Sequence, residues 1–137
     1  MAALALLAGL AHYVWLHWKY EMGSAGPHSE VEDVSLIKLI ATPERYNGKW
    51  VRVMGVCNFA FEGNGLFLSQ EDRKHGFCRN AIWACYDTLG ARPYDLAFWS
   101  KFQGRCVLVE GHFDARSAGH MGLYSGALTN VNRIMTW

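Results

Sequence analysis

Charged residues are scarce in this chain, and neither sign dominates. Only 18% of its 137 residues are Asp, Glu, Lys or Arg, against about 25% in an average globular protein. Of the 13 Lys and Arg residues, Lys19 alone precedes Glu21, and the other 12 stand against 12 Asp and Glu. A domain that binds nucleic acid by neutralising phosphates carries a basic excess. The composition therefore argues against general nucleic-acid binding.

The sequence also lacks the motifs of several enzyme and metal-binding classes. None of its four cysteines forms C-x-x-C, so zinc ribbons and thioredoxin-type sites are unsupported. No glycine loop is followed by a helix that could hold a phosphate. Asp114, Ser117 and His120 fall in one turn, whereas catalytic triads come from separate elements. His75 and His112 are too loosely spaced for a metal site. We expect no catalysis, no metal and no cofactor; a hydrolytic enzyme is the minor alternative.

The segment Ala2–Trp18 predicts a membrane anchor. Ala2 to Leu16 is apolar apart from His12, and aromatic residues follow as they do at a membrane interface. No basic region precedes the segment, no small-x-small cleavage site follows it, and no cysteine offers a lipid attachment site. An uncleaved anchor is the first interpretation; a cleaved signal, which would make the protein secreted, is the second. A helix of the domain is the third.

This segment sets the predicted domain organisation. Residues 1–20 form the anchor or signal segment, and residues 21–30, which contain Gly, Ser and Pro, form a flexible linker. Residues 31–137 form one domain, long enough to bury its own core. We expect that domain on the extracytoplasmic, periplasmic side of the membrane.

One ten-residue pattern occurs twice and organises the domain. Tyr46–Gly55 and Phe102–Gly111 share the order aromatic residue, side-chain amide, Gly, cation, x, Val, x, Val, x, Gly. The first Gly suits a turn, and Val-x-Val predicts a half-buried strand. The last Gly suits a bulge or bend inside a strand. Two bent strands of one design favour a small coiled barrel; an antiparallel sandwich is the alternative.

The other segments complete a five-stranded plan. A helix capped by Asp33 or Ser35 is expected to stop before Pro43. Its apolar stripe is expected to consist of Val34, Ile37 and Ile40, flanked by Leu36 and Leu39. The later predictions are a turn at 62–65, a strand at 66–69, a charged loop at 70–75, a strand at 81–86, a short helical stretch within 95–102, a turn at 117–122 and a last strand at 123–135. A break of that last strand at Gly126 is the alternative. The predicted fold class is mainly β: a five-stranded OB-like barrel with a preceding α-helix and an N-terminal apolar membrane helix.

The residues Ser35-Leu36-x-x-Leu39-x-x-x-Pro43-Glu44-x-Tyr46-x-Gly48-Lys49-x-Val51-x-Val53-x-Gly55 carry a resemblance. This stretch resembles the opening of OB-fold-like domains in small exported or membrane-anchored bacterial proteins, mostly uncharacterised. The resemblance covers about residues 31–137, and its specific part is Ser35–Gly55. It implies a fold and an exported setting, and it brings no catalytic residues.

An exported setting predicts disulfide bonds. Cys78 and Cys85 could close a short loop, and Cys57 and Cys106 lie in the two matching strands. The alternative for each cysteine is a small buried apolar side chain.

The predicted binding residues follow from the barrel plan. OB domains use the face of their second and third strands and the flanking loops, where aromatic side chains with cations beside them can stack on bases or sugars. The loop with Gly119–Gly122 is expected to form a rim at the opposite end. The candidates are Phe61, Phe67, Trp83, Arg73, Lys74, Arg79, His120 and Tyr124. We expect a non-catalytic module that binds a protein, as an envelope accessory or an immunity-type inhibitor; oligonucleotide or oligosaccharide binding is the alternative.

Overall fold

The computed structural model describes residues 21–22, 30–86 and 96–137. The predicted anchor at 1–20 lies outside the described residues, and so do residues 23–29 of the predicted linker. The strands are β1 (Glu21–Met22), β2 (Glu32–Asp33), β3 (Trp50–Asn58), β4 (Gly65–Phe67), β5 (Ala81–Ala84), β6 (Cys106–Asp114) and β7 (Ala127–Thr136). The α-helices are α1 (Leu36–Ala41), α2 (Gln70–His75) and α3 (Leu96–Trp99), and 3-10 turns span Pro43–Arg45, Cys78–Asn80 and His120–Gly122.

Five strands close into a barrel. β3 pairs antiparallel with both β4 and β6, and β4 pairs antiparallel with β5. β5 runs parallel to β7, and β7 returns antiparallel to β6, which completes the ring. β2 adds to β3, and β1, the start of the predicted linker, pairs with β7. The predicted mainly β chain with a five-stranded barrel is confirmed, and the sandwich alternative is wrong.

The two copies of the repeated pattern form β3 and β6, which are direct neighbours. The turns that begin them contain Gly48 and Gly104, at φ 80° and 68°. The N–H of Gly48 donates to the carbonyl of Phe113 at 2.8 Å, and the N–H of Gly104 donates to the carbonyl of Cys57 at 2.8 Å. Each turn therefore binds the far end of the other copy. The prediction that these strands share one sheet is confirmed.

The predicted irregularity at the last glycine of the second copy lies mainly in the partner strand. Between β6 and β7, Glu110 pairs with Arg133 and His112 pairs with Thr129. An advance of two residues along β6 therefore corresponds to four residues along β7. The extra residues bulge out of β7, where Asn130 has a φ of 48°. A bulge of this kind increases the local twist that barrel closure requires.

The core consists of inward-facing strand residues together with residues of α3 and the turn that follows it. Buried strand residues alternate along β3, with Val51, Val53 and Cys57 facing inward. Trp99 and Phe102 add large buried rings from α3 and the turn after it. The Phe59 ring stacks on Trp99 with centroids 4.5 Å apart. The short helical stretch predicted within 95–102 is confirmed, and it closes one end of the core.

The first helix begins where its cap predicts, and all but one of its predicted apolar contacts are formed. Ser35 caps α1 by accepting a hydrogen bond from the N–H of Lys38, and Thr42 ends the helix. Leu36 and Leu39 are its buried residues, while Ile37 is 60% exposed. Val34 and Ile40 of the predicted stripe also pack on the core, so the stripe prediction is wrong only at Ile37.

The predicted charged loop at 70–75 is helix α2. Ser69 caps it through the N–H of Asp72, and Gly76 ends it at φ 65° in the left-handed region. Acidic residues fill its first turn and basic residues its last, as the helix dipole favours. The Asp72 carboxylate accepts hydrogen bonds from Ser69 Oγ at 2.5 Å and from Asn80 Nδ2 at 2.7 Å. Both hydrogen bonds lower the pKa of Asp72, and the bond from Ser69 has the larger effect.

A carboxylate is buried on the outer side of the barrel, across β3, β6 and β7. Glu110 is only 3% exposed. Arg52 Nε lies 2.7 Å from Glu110 Oε1, and Arg133 Nη1 lies 3.3 Å from the same oxygen. The hydrogen bond that Arg52 donates to Glu110 raises the pKa of Arg52. The three side chains lie side by side because the strand register places them opposite one another.

All four cysteines are free thiols, so neither predicted disulfide is present. Cys106 stands opposite Val56 rather than Cys57, so it is exposed while Cys57 faces the core. Cys78 and Cys85 are separated by the extended chain of β5, roughly 13 Å at about 3.3 Å per residue. A disulfide tolerates no more than about 7 Å between Cα atoms.

No helix in the ranges that the structure covers combines the length and the apolar character needed to cross a membrane.

Candidate functional site

A second apolar cluster lies on the outer face of the barrel, separate from the core. Cross-strand neighbours on β3, β4 and β5 form its base, and Tyr124 from the β6–β7 loop covers them. We call this group the outer cluster: Val56, Phe67, Ala81 and Tyr124, with Cys78 and Trp83 packed against it. The Tyr124 ring meets Trp83 edge-on at 5.2 Å and Phe67 edge-on at 6.3 Å.

The β6–β7 loop reaches this face because of one glycine. Gly119 has a φ of 63° and a ψ of −155°, a conformation that side chains disfavour. A Cβ at this position would lie 2.6 Å from Trp83 Cβ and 2.8 Å from Trp83 Cγ. The loop backbone therefore lies directly on the Trp83 side chain. The sequence prediction of a rim at the opposite end is wrong: loop and strands form one surface.

The tips of two loops meet at the edge of this surface. His120 Nε2 lies 3.4 Å from the Glu62 carboxylate, which joins the β6–β7 loop to the β3–β4 loop. We call Phe61, Glu62, His120 and Met121 the loop rim. Phe61 is 87% exposed and Met121 is 79% exposed. Glu62 and Met121 have φ values of 56° and 55°, which few residues other than glycine adopt.

A cleft opens beside the outer cluster. Its volume is about 420 Å³, and its lining residues are Gly76, Phe77, Cys78, Arg79, Asn80 and Leu123. Phe77 is 57% exposed and Leu123 is 46% exposed. The Arg79 guanidinium donates to the carbonyl of Tyr124 at 3.5 Å, and Ser125 Oγ donates to the carbonyl of Arg79 at 2.7 Å. The cleft and the loop rim are two parts of one face, joined by the residues from Met121 to Leu123.

The tyrosine at the centre of this face stays neutral. Burial raises the pKa of Tyr124 above its usual range, and the neighbouring Cys78 thiol, which hydrogen-bonds to the hydroxyl, raises it further. Cys57 is likewise protonated, since burial raises its pKa to about 11. Neither group supplies an anionic nucleophile at neutral pH.

Most of the predicted binding residues come together on this face, but two cations do not. Arg73 Nε donates to Gln70 Oε1 at 3.1 Å, and its guanidinium lies under the turn at Gly104. Lys74 is exposed and pairs with Glu71 at 3.1 Å. The side chains that the structure brings together are Phe61, Phe67, Trp83, Arg79, His120 and Tyr124.

Two members of this face were not predicted. Glu62 was assigned only to a turn, and nothing in its sequence indicates a partner on a distant loop. Leu123 was assigned to the last strand, which instead begins at Ala127. The glycines at 119, 122 and 126, all at positive φ, are the available signal that a loop continues through this region.

The polar groups of the turn at 114–120 do not assemble into a catalytic set. Asp114 Oδ1 accepts a hydrogen bond from the N–H of Arg116 at 2.9 Å, while His120 faces Glu62. Throughout the portion described, no three His, Cys, Asp or Glu side chains converge as metal ligands do. His75 stacks on Phe77 at 5.7 Å, and His112 meets Trp50 edge-on at 6.0 Å.

Comparisons with protein-family models, with curated proteins and with solved structures find no match to this chain.

Proposed function

We propose that this chain is a non-catalytic protein-binding module with an OB-like barrel, and that its partner contacts the loop rim and the adjoining outer cluster. The single observation that carries the proposal is the rim itself: two large apolar side chains stand almost fully exposed on two loops that meet through the contact between His120 and Glu62.

The loop rim has the properties of an interface rather than of a loose loop. Glu62 and Met121 both hold left-handed backbone conformations, which cost about 1–3 kcal/mol each and persist only where the surroundings impose them. The rim rests on Trp83 through Gly119, so its exposed side chains start from an ordered position. Preorganised apolar anchors lose less entropy on binding, and aromatic and Met side chains are enriched in interfaces.

The outer cluster argues against stacking of bases or sugars. Phe67 is 3% exposed and Tyr124 is 4% exposed, because each lies against the other. Bases stack on aromatic faces that are open to solvent. The protein's own packing therefore covers two of the rings, Phe67 and Tyr124, that the oligonucleotide or oligosaccharide alternative would use. Protein binding is therefore the better proposal.

The proposed setting is the extracytoplasmic side of a membrane, with Ala2–Trp18 as the tether. Its support is the apolar segment and its aromatic end, read from the sequence. A tethered module of this kind suits an envelope accessory protein or an immunity-type inhibitor of a toxin.

The test is affinity capture of the full chain from its own cell envelope, with mass spectrometry of what it retains. A variant carrying Phe61→Ser and Met121→Ser should lose the partner, by about 30-fold or more in affinity if both side chains are anchors. Ile37→Ser is the matched control, because Ile37 is 60% exposed but lies on α1.

Recovery of one protein that the double variant releases and the control retains supports the proposal. Recovery of a glycan or a nucleic acid would replace it with the alternative. Equal retention by all three forms would place the interface elsewhere. Urea midpoints for each form exclude unfolding as the cause of any loss.

A further inference from the structure

The cleft beside the outer cluster contains a cation without an acidic partner. Arg79 is exposed, and its guanidinium has one acceptor among the described residues, the carbonyl of Tyr124 at 3.5 Å. None of the ion pairs between described side chains includes it. Arginine carries five N–H donors and binds carboxylates in a bidentate manner. Most of its donors therefore remain available to a ligand.

Two large apolar side chains line the same cleft as this cation. The Phe77 ring is held by stacking on His75, with centroids 5.7 Å apart and an interplanar angle of 21°. Leu123, which follows the loop rim along the chain, is the second. A ligand that fills the cleft therefore meets an apolar surface and a positive charge together.

The shape of the cleft favours a side chain presented by a larger molecule. A small-molecule site encloses most of its ligand's surface, whereas this cleft of about 420 Å³ is bordered by two side chains that are about half exposed. Such an open site holds a residue of a partner whose remaining surface contacts the neighbouring face. The loop rim supplies that contact, since Met121 and Leu123 belong to the same loop.

We propose that the cleft binds a peptide segment with a large apolar side chain next to a carboxylate. The apolar side chain lies between Phe77 and Leu123, and the carboxylate pairs with the Arg79 guanidinium. The carboxylate comes either from an acidic side chain or from the end of the partner's chain. This inference rests on the protein-binding function proposed above and specifies the chemistry of the partner.

The test uses four short peptides and isotope-labelled protein, with amide shifts followed by NMR. Two blocked peptides, acetyl-Gly-Phe-Asp-Gly-amide and acetyl-Gly-Phe-Asn-Gly-amide, isolate the side-chain carboxylate. Acetyl-Gly-Gly-Asp-Gly-amide removes the apolar group, and acetyl-Gly-Gly-Gly-Phe with a free carboxyl end places the charge at the terminus. We expect millimolar peptide to shift the amides of residues 76–80 and 123 for the Phe-Asp form, the free-end form, or both.

The charge contribution is tested with Arg79→Gln, and Arg45→Gln serves as the control because Arg45 is an exposed arginine elsewhere on the surface. Arg79→Gln should weaken the best peptide about fivefold, as expected for an exposed charge pair, and Arg45→Gln should not. Added salt should weaken the same peptide while leaving the Phe-Asn form unchanged.

Shifts that are equal for the Phe-Asp and Phe-Asn forms, with the free-end peptide no better, would overturn the role of the carboxylate. An unchanged affinity in Arg79→Gln would do the same, and the absence of shifts from every peptide would overturn the site. If the peptides fail while Phe61→Ser with Met121→Ser still releases a captured protein, the cleft inference fails and the proposed function stands. If that double variant releases nothing, the proposed function fails on its own evidence.

Discussion

Substitution of Gly119 by alanine tests whether the β6–β7 loop lies on Trp83, on which the whole candidate face depends. The new methyl group would lie 2.6 Å from Trp83 Cβ and 2.9 Å from Trp83 Cδ2. The first of these atoms is held by the backbone of β5, so it cannot move aside. Either the loop lifts away or the strand shifts.

The expected cost has two sources. Alanine at the backbone conformation of Gly119 costs about 1–3 kcal/mol, and forcing extra volume against a packed side chain costs about 1–3 kcal/mol more. We therefore expect Gly119→Ala to lower the free energy of unfolding by about 2–6 kcal/mol. Gly122→Ala is the matched control: its φ is 71°, and a Cβ there meets nothing within 4 Å. It should cost only about 1–2 kcal/mol for the left-handed backbone.

Urea unfolding of both variants measures the difference, and the Trp83 indole N–H resonance shows its location. The resonance should shift in Gly119→Ala and stay in place in Gly122→Ala. Equal losses of stability in the two variants, with the indole resonance unmoved, would refute the contact between loop and strand. The proposed interface would then lose its ordered base.

Three further predictions concern groups outside that face. Asp72 has a lowered pKa in the folded protein, so its ionised carboxylate stabilises the fold above the usual pKa of 3.8. That stabilisation is lost as the pH falls through the lower folded pKa. Between pH 6 and pH 2, the urea midpoint of Asp72→Asn should therefore fall less than that of the exposed control Glu71→Gln. Alkylation of native protein at pH 8 should modify the exposed Cys106 and spare Cys57, whose buried thiol has a pKa of about 11. Mass spectrometry measures the labelling of each cysteine, and equal labelling of the two would contradict the core position of Cys57. Glu110→Ala should lower the free energy of unfolding by about 1–3 kcal/mol, because Arg52 and Arg133 lose their shared carboxylate. The cost is moderate because both guanidinium groups are partly exposed and Arg52 keeps its contact with Asp33. A urea midpoint equal to that of the original protein would count against this ion-pair arrangement.

Local sequence patterns were sufficient to predict the elements whose structure depends on neighbouring residues. Val-x-Val between two glycines predicts β3 and β6, because alternation and turn geometry act over a few residues. Ser35 and Pro43 correctly bracket α1, since capping and the restriction before proline are also local. Helix α2 has local cap signals at Ser69 and Gly76, but the charged residues between them are equally typical of a solvated loop, and the predicted loop is wrong.

Period-two alternation predicts which residues share a face, and it does not say what covers that face. Phe67 and Trp83 share the outer face of the barrel, yet Phe67 is buried and Trp83 is only partly covered. Tyr124, which is distant in the chain, packs against both rings, with centroids 6.3 Å from Phe67 and 5.2 Å from Trp83. The burial of a strand residue is therefore a property of the assembled barrel.

The sequence by itself determined that this chain builds a mainly β domain around a pair of matching strands, because the two copies encode the same turn and the same alternation, and the closure of the sheet into a barrel rather than a sandwich is seen only in the strand pairing. Only the tertiary structure decided strand register and the meeting of distant loops. A shift of one residue puts Cys106 opposite Val56 and removes a predicted disulfide, and Gly119 lets a loop settle on Trp83 and bring His120 to Glu62. Such contacts join segments far apart in the chain, and their geometry exists only once the barrel has closed.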